Sequence, residues 1–328
     1  MVPEINLKGW IETDGTVLTT EEIASRLTGG AEWLTACGGE FFLTWGNGCA
    51  RDHMGIVPGS CDAGTVMENG VVTGRIMPDP PLLPLADAIE TAVLLRKSGG
   101  VVAFSGGVDS ALVAAIAKQP CVTLGIAGSH DLSHATEVAN EIGLDHTCVT
   151  VSPDDIEDVL RTVIKVIPRA TPVDASIAVT LYFVAQWAGE NGYSHILAGQ
   201  GADELFGGYA RYLDTDDIAR LFKEDFAGLA VQSARDQAVA GLFGCFFSCP
   251  FLDARVVRAA EAIPAERKVY GGVRKRPLRE VACGYMPREI ACYEKKAMQY
   301  GSGIWKVIQR TARKNGYKNS VQGYMNQL

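Results

Sequence analysis

Apolar and polar positions change rhythm along the chain. Residues 1 to about 75 carry short apolar runs broken by glycine and threonine. Glu40-Phe41-Phe42-Leu43-Thr44-Trp45, followed by Gly46-Asn47-Gly48, has the length and turn chemistry of a strand entering a hairpin. A small, mostly β domain is predicted over 1–80. Pro78, Pro80, Pro81 and Pro84 form a stretch that continues neither a helix nor a central strand, and the domain boundary is placed there. The second unit, 81–328, opens with a helical pattern from Ala86 to Lys97. Strand and helix then alternate: Val101 to Phe104 strand, Asp109 to Lys118 helix, Cys121 to Ile126 strand, Leu132 to Ile142 helix, Thr147 to Val151 strand. A helix from Ala175 to Glu190 and a strand from Ser194 to Ala198 complete the series. This alternation predicts an α/β fold, a parallel sheet flanked by helices, whose ligands bind beyond the carboxyl ends of its strands. After about Asp214 the chain reads as a mainly helical C-terminal part.

Composition narrows the classes. With 47% hydrophobic residues in 328, the chain can bury ordinary globular cores. The formal net charge of -8 lacks the positive field that phosphate-backbone binding requires, so no nucleic-acid partner is expected. Nine cysteines are scattered without a paired framework and read as reduced thiols. No charged leader followed by an apolar stretch is seen, nor an apolar run approaching membrane length; a cytoplasmic protein without a membrane partner is expected.

Val101-Val102-Ala103-Phe104-Ser105-Gly106-Gly107-Val108-Asp109-Ser110 sets two glycines between a buried strand and a helix start. Glycines let the backbone approach a polyanion closely, and the free N–H groups of the helix start point at it. Ser105 and Ser110 add hydroxyl donors. Asp109 beside bare phosphate would repel it but is well suited as a Mg²⁺ ligand. A second strand, ending near Ala198, runs into Gly199-Gln200-Gly201-Ala202-Asp203-Glu204-Leu205-Phe206-Gly207-Gly208-Tyr209. Acids on two neighbouring strand-end loops can hold Mg²⁺ between them.

The first loop lacks the Lys of a Gly-x-x-x-x-Gly-Lys-Ser/Thr phosphate loop. It resembles the pyrophosphate (PP) loop of the N-type ATP pyrophosphatases, of the adenine nucleotide alpha hydrolase-like fold, which cleave ATP between the α- and β-phosphates. The second loop resembles the signature of the asparagine synthetase synthase domain. The resemblance continues through Arg235-Asp236, Pro250-Phe251-Leu252-Asp253-Ala254-Arg255, Ile263-Pro264-Ala265-Glu266 and Lys275-Arg276-Pro277-Leu278-Arg279-Glu280, covering roughly residues 85 to 305. It implies ATP held along Ser105, Gly106, Gly107, Val108, Asp109 and Ser110, with adenine near Ala103, Phe104, Leu124 and Ile126 and Gly199 adjacent. It implies Mg²⁺ on Asp109 and Asp203, a substrate site at Gln200, Gly201 and Asp203, and Lys275 as the cation at the phosphates. Lys295 and Lys296 are alternatives for that cation. The implied reaction is AMP-forming: a carboxylate, L-aspartate first, becomes an acyl-adenylate and ammonia then takes the acyl group. Gln200 stands where the family usually carries Glu. This keeps open another carboxylate, a β-lactam synthetase-like amine, or a non-catalytic ATP/AMP-binding protein.

Gly39-Glu40-Phe41-Phe42 and Ala50-Arg51-Asp52-His53-Met54-Gly55-Ile56 resemble the late part of the family's glutaminase domain. That domain is normally longer and uses an N-terminal Cys; residue 2 here is Val, and Cys37, Cys49 and Cys61 lie inside the chain. The expectation is a truncated domain without glutaminase activity, with ammonia taken free or from a separate glutaminase subunit, and a homodimer left open. The remaining features are given plain readings. His130 and His134 are solvated helix-start residues rather than a metal pair. Cys245 and Cys249 are buried apolar groups, Arg267 to Arg279 is a solvated face apart from Lys275, and Glu204 complements a helix dipole.

Overall fold

The computed structural model describes residues 2–215, 217–294 and 298–328, apart from the side chains of Met298 and Gln299. The first unit is a six-stranded antiparallel sheet in the order β2-β1-β3-β4-β5-β6. Its strands are β1 (Ile5–Thr13), β2 (Thr16–Val17), β3 (Gly38–Trp45), β4 (Gly48–Arg51), β5 (Thr65–Glu68) and β6 (Val71–Arg75). β1 and β3 pair from Ile5↔Trp45 to Glu12↔Gly38, so that Ile11, Phe41 and Leu43 share one buried core. A helix the strand pattern did not foresee, α1 (Thr20–Leu27), adds Ile23 and Leu27 to that core. Its start is a capping box: the Thr19 hydroxyl accepts from Glu22 N, and the Glu22 carboxylate accepts from Thr19 N.

The second unit has five parallel strands in the order β11-β10-β7-β8-β9: β7 (Gly100–Ala103), β8 (Cys121–Ile126), β9 (His146–Val151), β10 (His195–Leu197) and β11 (Phe246–Ser248). Alternation places helices on both faces. Val101, Val122 and Ile196 enter one core, with α5 (Ile156–Val166), α6 (Pro172–Glu190) and α8 (Ile218–Gly241). Val102, Cys121 and Leu197 enter the other, with α2 (Leu85–Arg96), α3 (Val108–Ala117) and α4 (His130–Glu141). The predicted α/β class holds, with two elements added. α5 shows apolar Ile156, Val159, Leu160 and Val163 at helical spacing. β11 is a short strand inside the region expected to be helical. The helical C-terminal part includes α7 (Ala202–Phe206), α9 (Ala254–Glu261), α10 (Ala265–Lys268) and α11 (Arg276–Ala282). Among the described residues no helix is long and apolar enough to cross a membrane.

Buried ions join the two sheets. Arg96 at the end of α2 donates from Nε to Glu40 of β3 and from Nη1 to Asp253, both at 2.9 Å. Glu40 also accepts from the Ser248 hydroxyl at 2.5 Å and from Cys249 N at 2.8 Å, directly after β11. Arg255 closes the circuit to Glu12 of β1 at 2.6 Å and back to Asp253 at 3.1 Å.

Candidate functional site

β8 and β9 follow β7 on one side, whereas β10 lies on the other, so the chain reverses its direction of winding between β7 and β10. In an open parallel sheet that point leaves a crevice beyond the strand ends. Both glycine-rich loops lie there, and they touch: a Cβ on Gly199 would stand 2.9 Å from Asp109 Cβ. In the first loop Gly106 adopts φ +71°, and a Cβ there would stand 2.9 Å from His134 Cδ2 and 3.2 Å from Ala135 Cα. The glycine is thus required by close packing on α4 as well as by any approach of an anion. Gly107 is the N-cap of α3 and, lacking a side chain, leaves that helix start without a side-chain cap. Its first-turn N–H groups point into the crevice end of the sheet. Ser110 is a loop brace rather than an open donor: it is buried, its Oγ accepts from Ser105 N at 3.1 Å and donates to Gly107 O at 3.2 Å. Val108 is buried behind the loop.

Lys275 enters from α11. It occupies the N-cap position in the left-handed region, φ +55°, and is itself buried. Its Nζ lies 2.7 Å from Asp109 Oδ2 and 2.5 Å from Asp203 Oδ1. The two carboxylates hold the ammonium above the ordinary lysine range against the burial that opposes it. Three charges on three elements therefore sum to -1. Gly208 makes room for them, since a Cβ would fall 1.5 Å from Asp203 Oδ1 and 2.3 Å from Lys275 Cε. Asp109 Oδ1 is buried without a hydrogen-bond partner, and the Asp203 side chain is 42% exposed. An orphaned carboxylate oxygen beside an accessible one fits Mg²⁺. Among the described residues no three His, Cys, Asp or Glu groups gather to hold a metal alone. The fit is therefore to an ion that takes its other ligands from phosphate and water.

Around this triad the structure redraws several expectations. Glu204 does lie in the first turn of α7, but it is not left to solvent there. It is buried, and its Oε1 accepts from the Tyr209 hydroxyl at 2.5 Å and from Gln232 at 3.0 Å, while burial pushes its carboxyl up. Arg267 to Arg279 is a solvated face only in part: Arg267 and Arg276 are exposed, but Lys268 and Arg279 are buried along with Lys275. Arg279 holds the carbonyls of Ala291, Tyr293 and Arg274, and Arg274 donates to Gly208 O at 2.7 Å. His130 is exposed as expected, but His134 is stacked on Tyr293 with ring centroids 4.2 Å apart. Cys245 and Cys249 are buried, and burial raises both thiols. Phe104 and Leu124 are also buried, and the Ile126 N–H is already given to Ser302 O. Gln200 donates from Nε2 to Asp236 Oδ2 at 3.2 Å, and Gly201 packs on Leu252. Asp236 was part of a matched motif but carried no predicted role. Lys295 and Lys296 lie outside the described residues.

A parallel sheet with paired acids, a buried lysine and an uncapped helix start at its switch point has the form of a nucleotide-binding α/β domain. Within that class, the asparagine synthase family matches residues 85–244 and 243–322, and the chain belongs to it. A Methanocaldococcus jannaschii protein named "Putative asparagine synthetase (glutamine-hydrolyzing) 1" is 31% identical over 289 residues, covering 74% of this chain and 53% of the relative. Asparagine synthetase B (glutamine-hydrolyzing) of Escherichia coli is 26% identical over 244 residues, covering 67% and 44%. Asparagine synthetase (glutamine-hydrolyzing) 1 of Arabidopsis thaliana is 27% identical over 259 residues, covering 69% and 44%. The chain thus spans about half the length of these relatives. A solved NMN synthetase from Francisella tularensis overlaps at a TM-score of 0.33 and 14% identity, over 73% of this chain and 97% of that one; the fold rests on the sheets themselves.

Proposed function

We propose that this chain is an ATP-dependent, AMP-forming ligase that joins a carboxylate to an amine, with L-aspartate and ammonia the first pair to test. The observation that carries the reading is the meeting of Lys275 with Asp109 and Asp203 at the switch point of the sheet. A binding relic has no need of a buried cation shared by two carboxylates.

In the first step a substrate carboxylate oxygen forms a bond to the α-phosphorus. The bond from that phosphorus to the bridging oxygen breaks, and pyrophosphate leaves with the electron pair. In the second step the amine nitrogen bonds to the acyl carbon, AMP leaves, and the amine gives up a proton. The uncapped N–H groups at the start of α3 receive phosphate oxygens, and Lys275 balances charge that grows on the leaving group. Asp109 and Asp203 would hold Mg²⁺, which neutralises phosphate charge when bound. Gln200 and Gly201 line the substrate side. Fixed geometry replaces a protein nucleophile here, so alignment and electrostatics carry the rate.

Ammonia is read as arriving free or from a separate glutaminase subunit. In the first unit burial raises the Cys37 thiol to about 12 and the Cys61 thiol to about 11, the reverse of an activated nucleophile. The amide at Gln200 favours keeping a second reading, another carboxylate or a bulkier amine as in a β-lactam synthetase-like reaction.

The test is release of pyrophosphate and AMP from ATP with Mg²⁺, L-aspartate and ammonium. Lys275→Ala is expected to cut the rate by roughly 10²–10³-fold with the fold retained by circular dichroism. Turnover that survives Lys275→Ala refutes the assignment, and silence across a panel of carboxylates and amines leaves the ATP/AMP-binding reading in its place.

A further inference from the structure

Gln200 stands in the loop between Gly199, which packs on Asp109, and Asp203, and an amide presents an acceptor at one end and a donor at the other. The two ends are nearly equal in shape, so the partner on one side decides what the other side offers. Here that partner is the buried Asp236, whose Oδ2 accepts from Gln200 Nε2 at 3.2 Å. Asp236 Oδ1 accepts from Arg235 Nε at 2.8 Å, and Arg235 Nη1 in turn donates to Asp174 at 3.0 Å. Asp174 also accepts from Arg169 Nε at 2.8 Å and the Thr171 hydroxyl at 2.7 Å. Burial pushes the Asp236 carboxyl up, while Arg235 and the Gln200 amide oppose it. The ionised carboxylate satisfies both donors, and it can only accept. Gln200 must therefore turn Nε2 toward Asp236 and leave Oε1 as its open atom.

We infer that Asp236 is a positioning residue that fixes the Gln200 amide with its carbonyl toward the reacting centre, so that the site selects substrates carrying an N–H donor there. The inference rests on the ligase reading above and specifies its substrate. The N–H belongs either to an amino group on the carboxylate substrate or to the attacking amine, and the two are separable by experiment. A substrate lacking the donor would leave Oε1 desolvated and unpaired.

The measurement uses the full chain with L-aspartate and ammonium chloride as probes. ATP–pyrophosphate exchange without ammonium gives the KM for aspartate; complete turnover gives the KM for ammonium. Asp236→Asn is expected to raise one of these by about 10-fold with a much smaller change in kcat, and the one that moves identifies the donor. Gln200→Met should raise the same KM, and Asp236→Asn added to Gln200→Met should raise it no further, because one residue acts through the other. An unchanged KM in either single variant, or a full further rise in the double, overturns the inference. Where Asp236→Asn fails to fold, Gln200→Glu replaces it. Its carboxylate would accept an N–H but has none to give Asp236, so the same KM is expected to rise. A KM that stays level or falls refutes the role of Asp236. A wild-type protein without exchange or turnover fails the ligase reading itself, a result distinct from any of these.

Discussion

Two lysines seven residues apart sit in opposite surroundings. Lys275 is buried between two carboxylates, which favour its charge. Lys268 is buried with its Nζ 4.6 Å from the centre of the Phe222 ring, and burial lowers its pKa to about 8. The unfolded chain holds that proton until about 10.5. Below pH 8 the group is charged in both states and the folded state bears the desolvation cost. Between 8 and 10.5 the unfolded chain binds more protons, so stability rises with pH as the cost is relieved. The span corresponds to an effect on the order of 3 kcal/mol. Lys268→Met is expected to raise the melting temperature at pH 7 and to flatten the rise toward pH 10. Equal melting curves for variant and wild type at both pH values would contradict this. Composition alone reads the run that holds both lysines as solvated, and only the resemblance of Lys275-Arg276-Pro277-Leu278-Arg279 set Lys275 apart; what packs on Lys268 is an aromatic ring some 46 residues earlier in the chain.

At the scale of elements, the chemistry-bearing loops were legible because their signals are local. Glycines that permit close approach and acids one turn into a helix lie side by side in the chain, and each follows an apolar strand. α5 was also available from its 3.6-residue period. β11 was not, because three residues between cysteines become a strand only by pairing with β10, His195↔Phe246 to Leu197↔Ser248. The geometry of α7 yields a separate test. This five-residue helix is entered at Gly201, φ +89°, and left at Gly207, φ +77°, before Gly208 runs beneath Asp203 and Lys275. Gly208→Ala puts a methyl group where the Asp203 carboxylate and Lys275 methylene now lie. Because Asp203 is half-exposed, it can swing outward at little cost to the fold. The expected outcome is a loss of at least about 10-fold in pyrophosphate release with a stability change within about 1 kcal/mol. Wild-type activity in that variant would show that the triad is not held by this contact.

At the scale of the whole molecule, the six-stranded sheet is bound to the parallel sheet by charge. Glu40 and Ser248 are 208 residues apart in sequence, and Glu12 and Arg255 are 243 apart. No local pattern announces such pairs, and the reading of the first unit as a truncated domain, made from its length and its Val2, carried no hint of them. Its position gives it a part in the site. Glu40 fixes Ser248 and Cys249 just before Phe251 and Leu252, and a Cβ on Gly201 would meet Leu252 Cδ2 at 2.4 Å. The second glycine-rich loop is therefore propped by a segment that the first sheet holds. Arg96 is the hinge of this arrangement, since it pairs with both Glu40 and Asp253 and lies over the Trp10 ring at 4.8 Å. Arg96→Met removes one cation and leaves two carboxylates buried with less compensation, a loss of roughly 3–5 kcal/mol. If the sheets unfold as one unit, tryptophan fluorescence and far-ultraviolet circular dichroism should move together in denaturant once Trp187 and Trp305 of the second unit are replaced by Phe, because Trp10, Trp33 and Trp45 then report the first unit and most helix lies in the second. Arg96→Met should shift both curves by the same amount. Two separated transitions in the wild type would mean that the first sheet folds and melts alone, and the prop beneath Gly201 would then be incidental to the site.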